Sequence, residues 1–389
     1  GDASDLGIGY EIIYDITGNS VTEGKKGDIS AFFDSRLEKL KKMIVRSGLP
    51  NRHIDIGELV NRKFSFTGYD TSATVIGIIN KYDWTKNGHF FFTIEDKTGE
   101  IDCMIYKETD PDFELQQKES QRVLRRGFMT DDIVGITGNF TEGKDTFIVQ
   151  DIHFPPLSNH KKNHSEDSVS VAFISDIHLG SKTFLDAQWH KMIKWFHESD
   201  VAKSIKYLVL SGDVVDGIGI YPGQEKELAI PDVFKQYSEF AKLLEMLPEW
   251  VECLLLPGNH DAVRPAEPQP AIDPEIQQDY NSTIFVGNPC KFKLHGVSLL
   301  SYHGKSLDDF VGMRELDYSI PQEAMKQMLQ RRHLAPSWGK KTPLSPEPED
   351  NMVIDEIPDI FVTGHVHGHY SGNYRGTTLI CSSTWQDQT

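Results

Sequence analysis

Cysteine is scarce in this sequence of 389 residues, which contains four, and no two of them form a CxxC pair. This spacing argues against a zinc ribbon or a disulfide-stapled scaffold and fits a protein of the reducing cytoplasm. Long hydrophobic runs are also missing, since no stretch approaches the roughly 20 apolar residues of a membrane span. There is no Walker motif, and Gly217-x-Gly219 lacks the third glycine of a dinucleotide fingerprint. We therefore expect neither a membrane segment nor a nucleotide cofactor.

Positive charge is in short supply as well. The chain has 40 lysines and arginines against 58 acidic residues, which gives a formal net charge of −18. Because phosphate binding depends on Lys and Arg, a chain of this charge is poorly suited to hold nucleic acid unaided. We expect bound divalent cations to offset part of the acidic excess. A partner is expected to supply the remaining grip on any nucleic acid.

The first 155 residues divide into a segment with one helix and a β-rich segment. Residues 1–63 are expected to be unstructured before an amphipathic helix at 29–47, which packs on its own domain or binds a partner. Residues 64–155 carry five short β-runs separated by turns, a layout that resembles an OB-fold barrel. The runs are 73–79, 89–94, 100–106, 132–138 and 146–153, with a helix-compatible insertion at 112–126.

Aromatic residues in the β-rich segment have two interpretations. Phe90, Phe91, Phe92 and Tyr106 are the candidates for stacking on bases, as aromatic side chains do in OB domains. Since alternate residues of a strand must face the barrel core, only one or two of them are expected to be free. The alternative is a structural or subunit-docking role.

Residues 156–168 are Pro-containing and polar and predict a linker, in which His160 and His164 are expected to be solvated and without function. From 169 to 389 apolar strands alternate with helical stretches such as 186–198 and 233–247, which predicts an α/β domain.

Five apolar runs of this second domain end in side chains that can bind metals. Each run is followed closely by its polar residues: 169–175 by Asp176 and His178, 207–210 by Asp213 and Asp216, 254–256 by Asn259 to Asp261, 297–302 by His303, and 359–362 by His365 and His367. Ligands of open α/β sheets bind at the carboxyl ends of the strands. Carboxylates combined with imidazoles suit Mn²⁺, Fe²⁺ or Zn²⁺, and one carboxylate can bridge two ions. We attribute the Asp176-x-His178 and His365-x-His367 spacing to extended chain, in which alternate residues project the same way.

These motifs, in this order, resemble the signatures of the calcineurin-like metallophosphoesterase superfamily. The resemblance implies a two-layer β sandwich flanked by helices, so the predicted fold class is mixed α+β: an OB-fold barrel followed by a calcineurin-like phosphoesterase domain. It also implies two divalent metal ions, with Mn as first choice and Fe, Zn, Mg or Ni as alternatives. The first metal would be bound by Asp176, His178, Asp213 and His367, and the second by Asp213, Asn259, His303 and His365.

Three residues are expected to act in catalysis. His260 would be the acid that protonates the leaving oxygen, since an imidazole has a pKa near working pH. Asp213 would bridge the metals. Asp216 either takes part directly or orients a ligand, and Asp261 is expected to fix the loop or the His260 ring.

Further stretches, at 177–184, 217–224, 260–270, 331–336 and 384–386, are similar to the small subunits of archaeal family-D DNA polymerases. That resemblance implies a 3′→5′ proofreading exonuclease that acts on the single-stranded 3′ end of DNA and docks to the large catalytic subunit. Ligand positions have decayed in the related non-catalytic eukaryotic subunits, and here none has, which favours activity. The alternatives are a non-catalytic scaffold subunit and a phosphoesterase acting on proteins or small molecules.

Several side chains are candidates for contact with DNA. Arg264 and Lys182 are the first choices, and the alternative for Arg264 is a surface ion pair. Arg331 and Arg332 are weaker candidates. Tyr302 and Trp338 either stack on a base or pack in the core.

Overall fold

The structure, a computed structural model, describes residues 1–107, 127–157, 159–313 and 316–387. The predicted insertion at 112–126 lies outside these residues. The described helices are α1 (Lys26–Arg46), α2 (Ile56–Asn61), α3 (Asp186–Glu198), α4 (Val233–Glu245), α5 (Pro274–Gln277), α6 (Leu307–Phe310) and α7 (Pro321–Arg331). None of them is both long enough and apolar enough to cross a membrane.

The described strands form a barrel and two sheets. The strands are β1 (Tyr10–Tyr14), β2 (Ala73–Trp84), β3 (Phe90–Asp96), β4 (Gly99–Ile105), β5 (Ile133–Phe140), β6 (Phe147–His153), β7 (Ser170–Ile174), β8 (Ile205–Ser211), β9 (Glu252–Leu256), β10 (Thr283–Phe285), β11 (Cys290–Leu294), β12 (Val297–Tyr302), β13 (Ile360–Thr363), β14 (His369–Tyr374) and β15 (Thr377–Ser382).

The β-rich segment is a closed barrel of five strands in the order β2-β3-β4-β6-β5. All five predicted β-runs are present as strands. The barrel closes through a parallel pairing of β4 with β6, in which Cys103 lies opposite Phe147. At Gly138 a Cβ atom would lie 2.2 Å from the carbonyl oxygen of Ile148, so the strands can approach this closely only at a glycine. The predicted OB fold is confirmed.

The aromatic run of β3 faces the barrel core at alternate positions. Phe90 and Phe92 are buried and pack on Phe128, which excludes them from base stacking. Phe91 and Tyr106 are half-buried. The stacking prediction is therefore wrong for the two core residues, because a strand buries every second side chain.

The second domain consists of two sheets packed face to face. One has four parallel strands in the order β10-β9-β8-β7, and the other has six in the order β1-β11-β12-β13-β15-β14. Tyr207 and Val209 of β8 point toward the second sheet and pack with Phe292, whereas Leu208 and Leu210 point to the opposite face.

Helices cover both outer faces of this sandwich. α3 and α4 pack on the four-stranded sheet through Trp189 and Phe240, and α7 packs on the six-stranded sheet through Met325 and Met328. This is the two-layer sandwich flanked by helices that the sequence predicts, and the fold class is confirmed.

Two expectations for the N-terminal part and the linker are wrong. Residues 10–14 form an edge strand, β1, which pairs antiparallel with β11. The strand is partly exposed and mixes polar with apolar residues, so it lacks the apolar run that marks a buried strand. His160 is bound rather than solvated, since its Nε2 lies 2.6 Å from Asp359 Oδ1, whereas His164 is exposed as expected.

Buried arginines hold the barrel and the sandwich together. Arg36 of α1 donates from Nε to Asp350 Oδ2 at 2.7 Å, and from Nη1 to the carbonyl oxygens of Asp131 and Pro336 at 3.1 and 2.5 Å. The guanidinium of Arg36 thus connects α1 to Asp131, which precedes the barrel strand β5, and to Pro336 and Asp350 of the second domain. Trp338 packs on the rings of Phe32 and Phe33 beside it, which supports the core alternative for this tryptophan.

Arg331 and Arg332 contact the same junction between the barrel and the sandwich. Arg331 donates to Asp132 Oδ2 at 3.0 Å and to the carbonyl oxygen of Gly127 at 2.7 Å. Arg332 donates to the carbonyl oxygens of Ile354 and Pro156. Both side chains are buried, so the prediction that they contact DNA is wrong. Their guanidinium groups instead donate hydrogen bonds to Asp132 and to backbone carbonyl oxygens at the junction.

We predict that replacing Arg36 with Met destabilises the chain strongly. The Asp350 carboxylate would lose its buried partner, and breaking a buried ion pair costs about 3–5 kcal/mol in free energy of unfolding. The measurement is urea-induced unfolding. Lys42→Met on the same helix is the control, because the Lys42 side chain is exposed and a surface substitution is expected to change the stability by less than about 1 kcal/mol. Equal stability losses for the two variants would contradict the role of Arg36.

Candidate metal centre

The five polar motifs of the second domain lie at one edge of the sandwich. They follow β7, β8 and β9 of the first sheet and β12 and β13 of the second, and within each sheet these strands run parallel to one another. Parallel strands end on the same side, so all five loops meet where the two sheets meet. The topology of the two sheets therefore brings the five motifs close enough to form one site.

Six of the predicted ligands form three overlapping groups together with His260. The groups are Asp176 with His178 and His367, His178 with Asp213 and His260, and Asp213 with His303 and His365; within each group the ligand atoms lie within 4.8 Å of one another. The seventh predicted ligand, Asn259, joins through its Oδ1 atom, which lies 3.0 Å from His303 Nε2.

Asp213 lies between the two outer groups. Its Oδ2 atom is 3.1 Å from His303 Nε2 and 3.8 Å from His178 Nε2. The same oxygen therefore approaches one ring of each group. This is the position that a bridging carboxylate requires.

Asp176 supplies a direct test of whether these residues fit a cation. Its Oδ2 atom accepts from Ser175 Oγ at 2.5 Å and from the backbone N–H of His365 at 2.9 Å. Its Oδ1 atom is buried and has no hydrogen-bond partner among the described residues, although His367 Nε2 lies 3.4 Å away. Leaving a buried carboxylate oxygen unpaired is costly, and a divalent cation between Asp176 and His367 would satisfy it. The donor set therefore fits the two metals that the sequence predicts.

The electrostatics of the site favour positive charge. Burial opposes ionisation of Asp213, but the neighbouring His303 and His260 rings outweigh it and hold the pKa of Asp213 well below its usual range. Burial likewise opposes protonation of His303, but the Asp213 and Asp176 carboxylates outweigh it and raise the pKa of His303 to about 10. A field that draws protons onto a buried imidazole also attracts a metal ion.

The backbone at these positions is left-handed, not extended. The φ angles of Asp176, His178, Asp213, His365 and His367 are 52°, 54°, 53°, 71° and 60°. The extended-chain explanation of the Asp-x-His and His-x-His spacing is therefore wrong, since both members of each pair lie in turns after the strand. Non-glycine residues in this region cost about 1–3 kcal/mol each and cluster at functional sites.

Two glycines allow the loops to approach the carboxylates. A Cβ atom at Gly258 would lie 2.3 Å from Asp213 Oδ1, and one at Gly364 would lie 2.6 Å from Asp176 Oδ2. Any side chain at either position would displace a predicted ligand. Steric hindrance thus explains why the Gly-Asn-His-Asp and Gly-His-x-His motifs have glycine at their first position.

His260 is oriented by its neighbours. Its backbone N–H donates to Asp213 Oδ1 at 2.8 Å, and its Nδ1 donates to the carbonyl oxygen of Asp216 at 2.7 Å. Nε2 is therefore the ring atom left for the cavity. Burial lowers the pKa of His260.

The cavity beside these groups has a volume of about 410 Å³, within the roughly 300–1,000 Å³ of small-molecule sites. Its lining consists of His178, Asp213, Asp216, Tyr221, Glu227, His260, His365, His367 and Gln386. Tyr221 and Glu227 were not predicted as site residues.

Comparisons with known proteins agree with this fold. The family model for the B subunits of DNA polymerases alpha and epsilon matches residues 171–371, and the one described as OB-fold nucleic acid binding domain matches 73–153. The DNA polymerase II small subunits of Methanothermobacter thermautotrophicus and Archaeoglobus fulgidus are 39% and 37% identical over 98% of this chain, and the matches cover 77% and 75% of those relatives. The small subunit of Methanocaldococcus jannaschii is 36% identical over 96% of this chain and 62% of its own length.

This chain belongs to the archaeal DNA polymerase II small-subunit family. The family-D resemblance drawn from the motifs is thereby confirmed.

Within this small subunit, Asp216 orients other residues of the site. Its Oδ1 atom lies 3.0 Å from His178 Nδ1, and its Oδ2 atom accepts from Gln224 Nε2 at 3.0 Å. Its carbonyl oxygen holds His260. The geometry favours the alternative in which Asp216 orients a ligand. Asp261 likewise fixes the loop, since it accepts from Gly258 N–H and Tyr237 O–H, both at 2.8 Å.

Asp308 was missed by the sequence analysis. Its Oδ2 atom lies 2.9 Å from His365 Nε2 and 2.6 Å from Lys305 Nζ. It stands on α6, which is 57 residues from His365 in sequence. No motif or apolar run marks it, so the sequence alone offers no signal for this contact.

The two first-choice DNA contacts lie in different surroundings. Lys182 is exposed beside the cavity, where its backbone N–H donates to the carbonyl oxygen of Glu227 at 2.9 Å and its Nζ to that of Lys226 at 2.8 Å. Its role stays a prediction. The Arg264 guanidinium donates to the carbonyl oxygens of Ala266 and Pro268 and lies 3.4 Å from Glu347, which favours the ion-pair alternative.

We predict that Asp216→Ala weakens binding of Mn²⁺ by about 10- to 100-fold, because the His178 ring loses the carboxylate that orients it. Isothermal titration of the metal-free chain with Mn²⁺ measures the effect. Asp186→Ala, at an exposed carboxylate on α3, is the control and should bind as the unmodified chain does. Unchanged affinity in Asp216→Ala would show that the contact with His178 does not matter for the metal.

Proposed function

We propose that this small subunit is a metal-dependent phosphodiesterase that removes nucleotides from the 3′ end of DNA, as the proofreading subunit of a two-subunit replicative polymerase. The observation that carries the proposal is the orphaned Oδ1 atom of Asp176 within a complete set of predicted ligands. A scaffold that had lost its chemistry would have no reason to keep a buried carboxylate oxygen without a donor.

Asp176, His178, Asp213 and His367 would hold one divalent cation, and Asp213, Asn259, His303 and His365 the other, with Mn²⁺ as first choice. Two such ions, when bound, supply the positive charge that polarises a phosphodiester and lowers the pKa of a water nucleophile. The chain supplies the rest: rigid loops that position the ligands, and a ring that moves a proton.

His260 is the proposed proton donor. Because its Nδ1 is held by the carbonyl oxygen of Asp216, Nε2 delivers the proton to the leaving 3′ oxygen. Burial lowers the pKa of His260, so the ring is a stronger acid once it is protonated. The hydrogen bond from the His260 backbone N–H to Asp213 Oδ1 holds this residue beside the proposed bridging carboxylate.

The proposed partners are the large catalytic subunit and single-stranded DNA. The net charge of −18 leaves this chain with little grip of its own on phosphates. The relatives are named as small subunits of DNA polymerase II, and the barrel matches a nucleic-acid-binding family. We infer that the large subunit presents the frayed 3′ end to the cavity.

We predict that His260→Ala lowers the rate of nucleotide release about 10²- to 10⁴-fold while the content of bound metal stays unchanged, because the ring moves a proton and binds no ion. The assay follows 5′-labelled single-stranded DNA with Mn²⁺, with and without the large subunit. His190→Ala, at an exposed histidine of α3, is the control. If the unmodified protein binds metal but releases no nucleotide in either setting, the scaffold alternative is correct.

We also predict that Lys182→Ala weakens binding of single-stranded DNA and lowers the slope of log K against log salt by about 0.7, the value for one lost phosphate contact on a single strand. The measurement is fluorescence anisotropy of the two-subunit complex at several salt concentrations. Lys42→Ala, at an exposed lysine of α1, should leave the slope unchanged. An unchanged slope in Lys182→Ala would rule out a phosphate contact by this lysine.

A further inference from the structure

The loop 217–232 forms a wall of the cavity and is built for rigidity. Gln224, which is buried, donates to the carbonyl oxygen and to Oδ2 of Asp216 and accepts from the N–H of Ile220 at 2.9 Å. Gln236 of α4, also buried, accepts from the N–H of Gly217 at 2.9 Å and donates to the carbonyl oxygen of Ile230 at 2.9 Å. Both ends of the wall are thus tied to the interior by side-chain amides.

Tyr221 projects from this wall into the cavity. Its ring centroid is 6.4 Å from that of His260, with the planes at 62°. Its hydroxyl donates a hydrogen bond to the Glu227 carboxylate, which lines the same cavity. The ring is thus held through its hydroxyl where it lines the cavity.

Tyr221 shares its loop with two exposed apolar side chains that do not line the cavity. Ile218 and Ile220 are 45% and 37% exposed on the same short loop. Phosphate oxygens bind at charged groups, whereas a base stacks on a flat aromatic ring. Among the residues that line the cavity, Tyr221 carries the one phenol ring, and this ring lies next to the proposed proton donor.

We propose that Tyr221 stacks against the base of the 3′-terminal nucleotide and thereby positions the scissile phosphodiester beside His260. This inference rests on the proposed function. Every base has a face on which an aromatic ring can stack, so the contact accepts all four bases.

The first test compares DNA ends that carry a base with ends that do not. The two-subunit complex with Mn²⁺ is given single strands that end in a normal nucleotide or in an abasic one. Tyr221→Ala is expected to slow release of the normal nucleotide by about 10- to 100-fold and to leave release of the abasic one nearly unchanged. Tyr221→Phe keeps the ring and loses the Glu227 contact. This variant should still release the normal nucleotide faster than the abasic one, as the unmodified complex does.

The second test measures stacking without catalysis. A strand with 2-aminopurine at its 3′ end is bound in the presence of a chelator, and stacking is read as quenching of the 2-aminopurine fluorescence. We expect quenching by the unmodified complex and by Tyr221→Phe, and its loss in Tyr221→Ala. Tyr10→Ala is the control, because Tyr10 pairs with Leu294 at the edge of the sandwich opposite the site.

The outcomes separate this inference from the proposed function. Equal slowing on both ends, together with unchanged quenching, would mean that Tyr221 only supports the loop, and the inference would be overturned. Failure of the unmodified complex to release any nucleotide would overturn the proposed function, while the quenching measurement would still decide whether Tyr221 contacts the base.

Discussion

The convergence of parallel strand ends at one edge of the sandwich is the constraint on which the site depends. It brings carboxylates and imidazoles of five separate loops together in a buried space, where like charges repel unless a cation lies among them. At these strand ends, Asp176, His178, Asp213, His365 and His367 adopt left-handed backbone conformations. A rigid sheet on each side sustains conformations that an isolated loop would abandon.

The barrel and the sandwich are joined by charges that never reach solvent. Arg36 and Arg331 each bind an aspartate and backbone carbonyls across the junction. Buried pairs of this kind set an orientation, since breaking either one leaves a charge without a partner. Three arginines of this acidic chain, Arg36, Arg331 and Arg332, are buried and cannot contact DNA, which agrees with the proposal that a partner supplies the grip on DNA.

The sequence was sufficient for those features that rest on periodicity. Apolar runs predicted the five barrel strands, α3 and the strands that precede the metal-binding motifs, because burial imposes a regular pattern. It was insufficient where a contact depends on the tertiary fold. The edge strand β1 buries too little to leave an apolar run, Asp308 reaches His365 from a distant helix, and the buried state of Arg331 and Arg332 depends on the junction. The left-handed conformations at the metal-binding motifs could not be predicted for another reason. An i, i+2 spacing of ligands is compatible with an extended strand and with a loop alike.

The measurement that tests the central proposal most directly is the release of a 3′-terminal label from matched and mismatched primer–templates by the two-subunit complex, with Mn²⁺ and with a chelator. We predict metal-dependent release of the label as a mononucleotide, faster from the mismatched end because that end frays into a single strand. Retention of the label at both ends, with two metal ions measured per small subunit, would contradict the proposal that this centre is a nuclease.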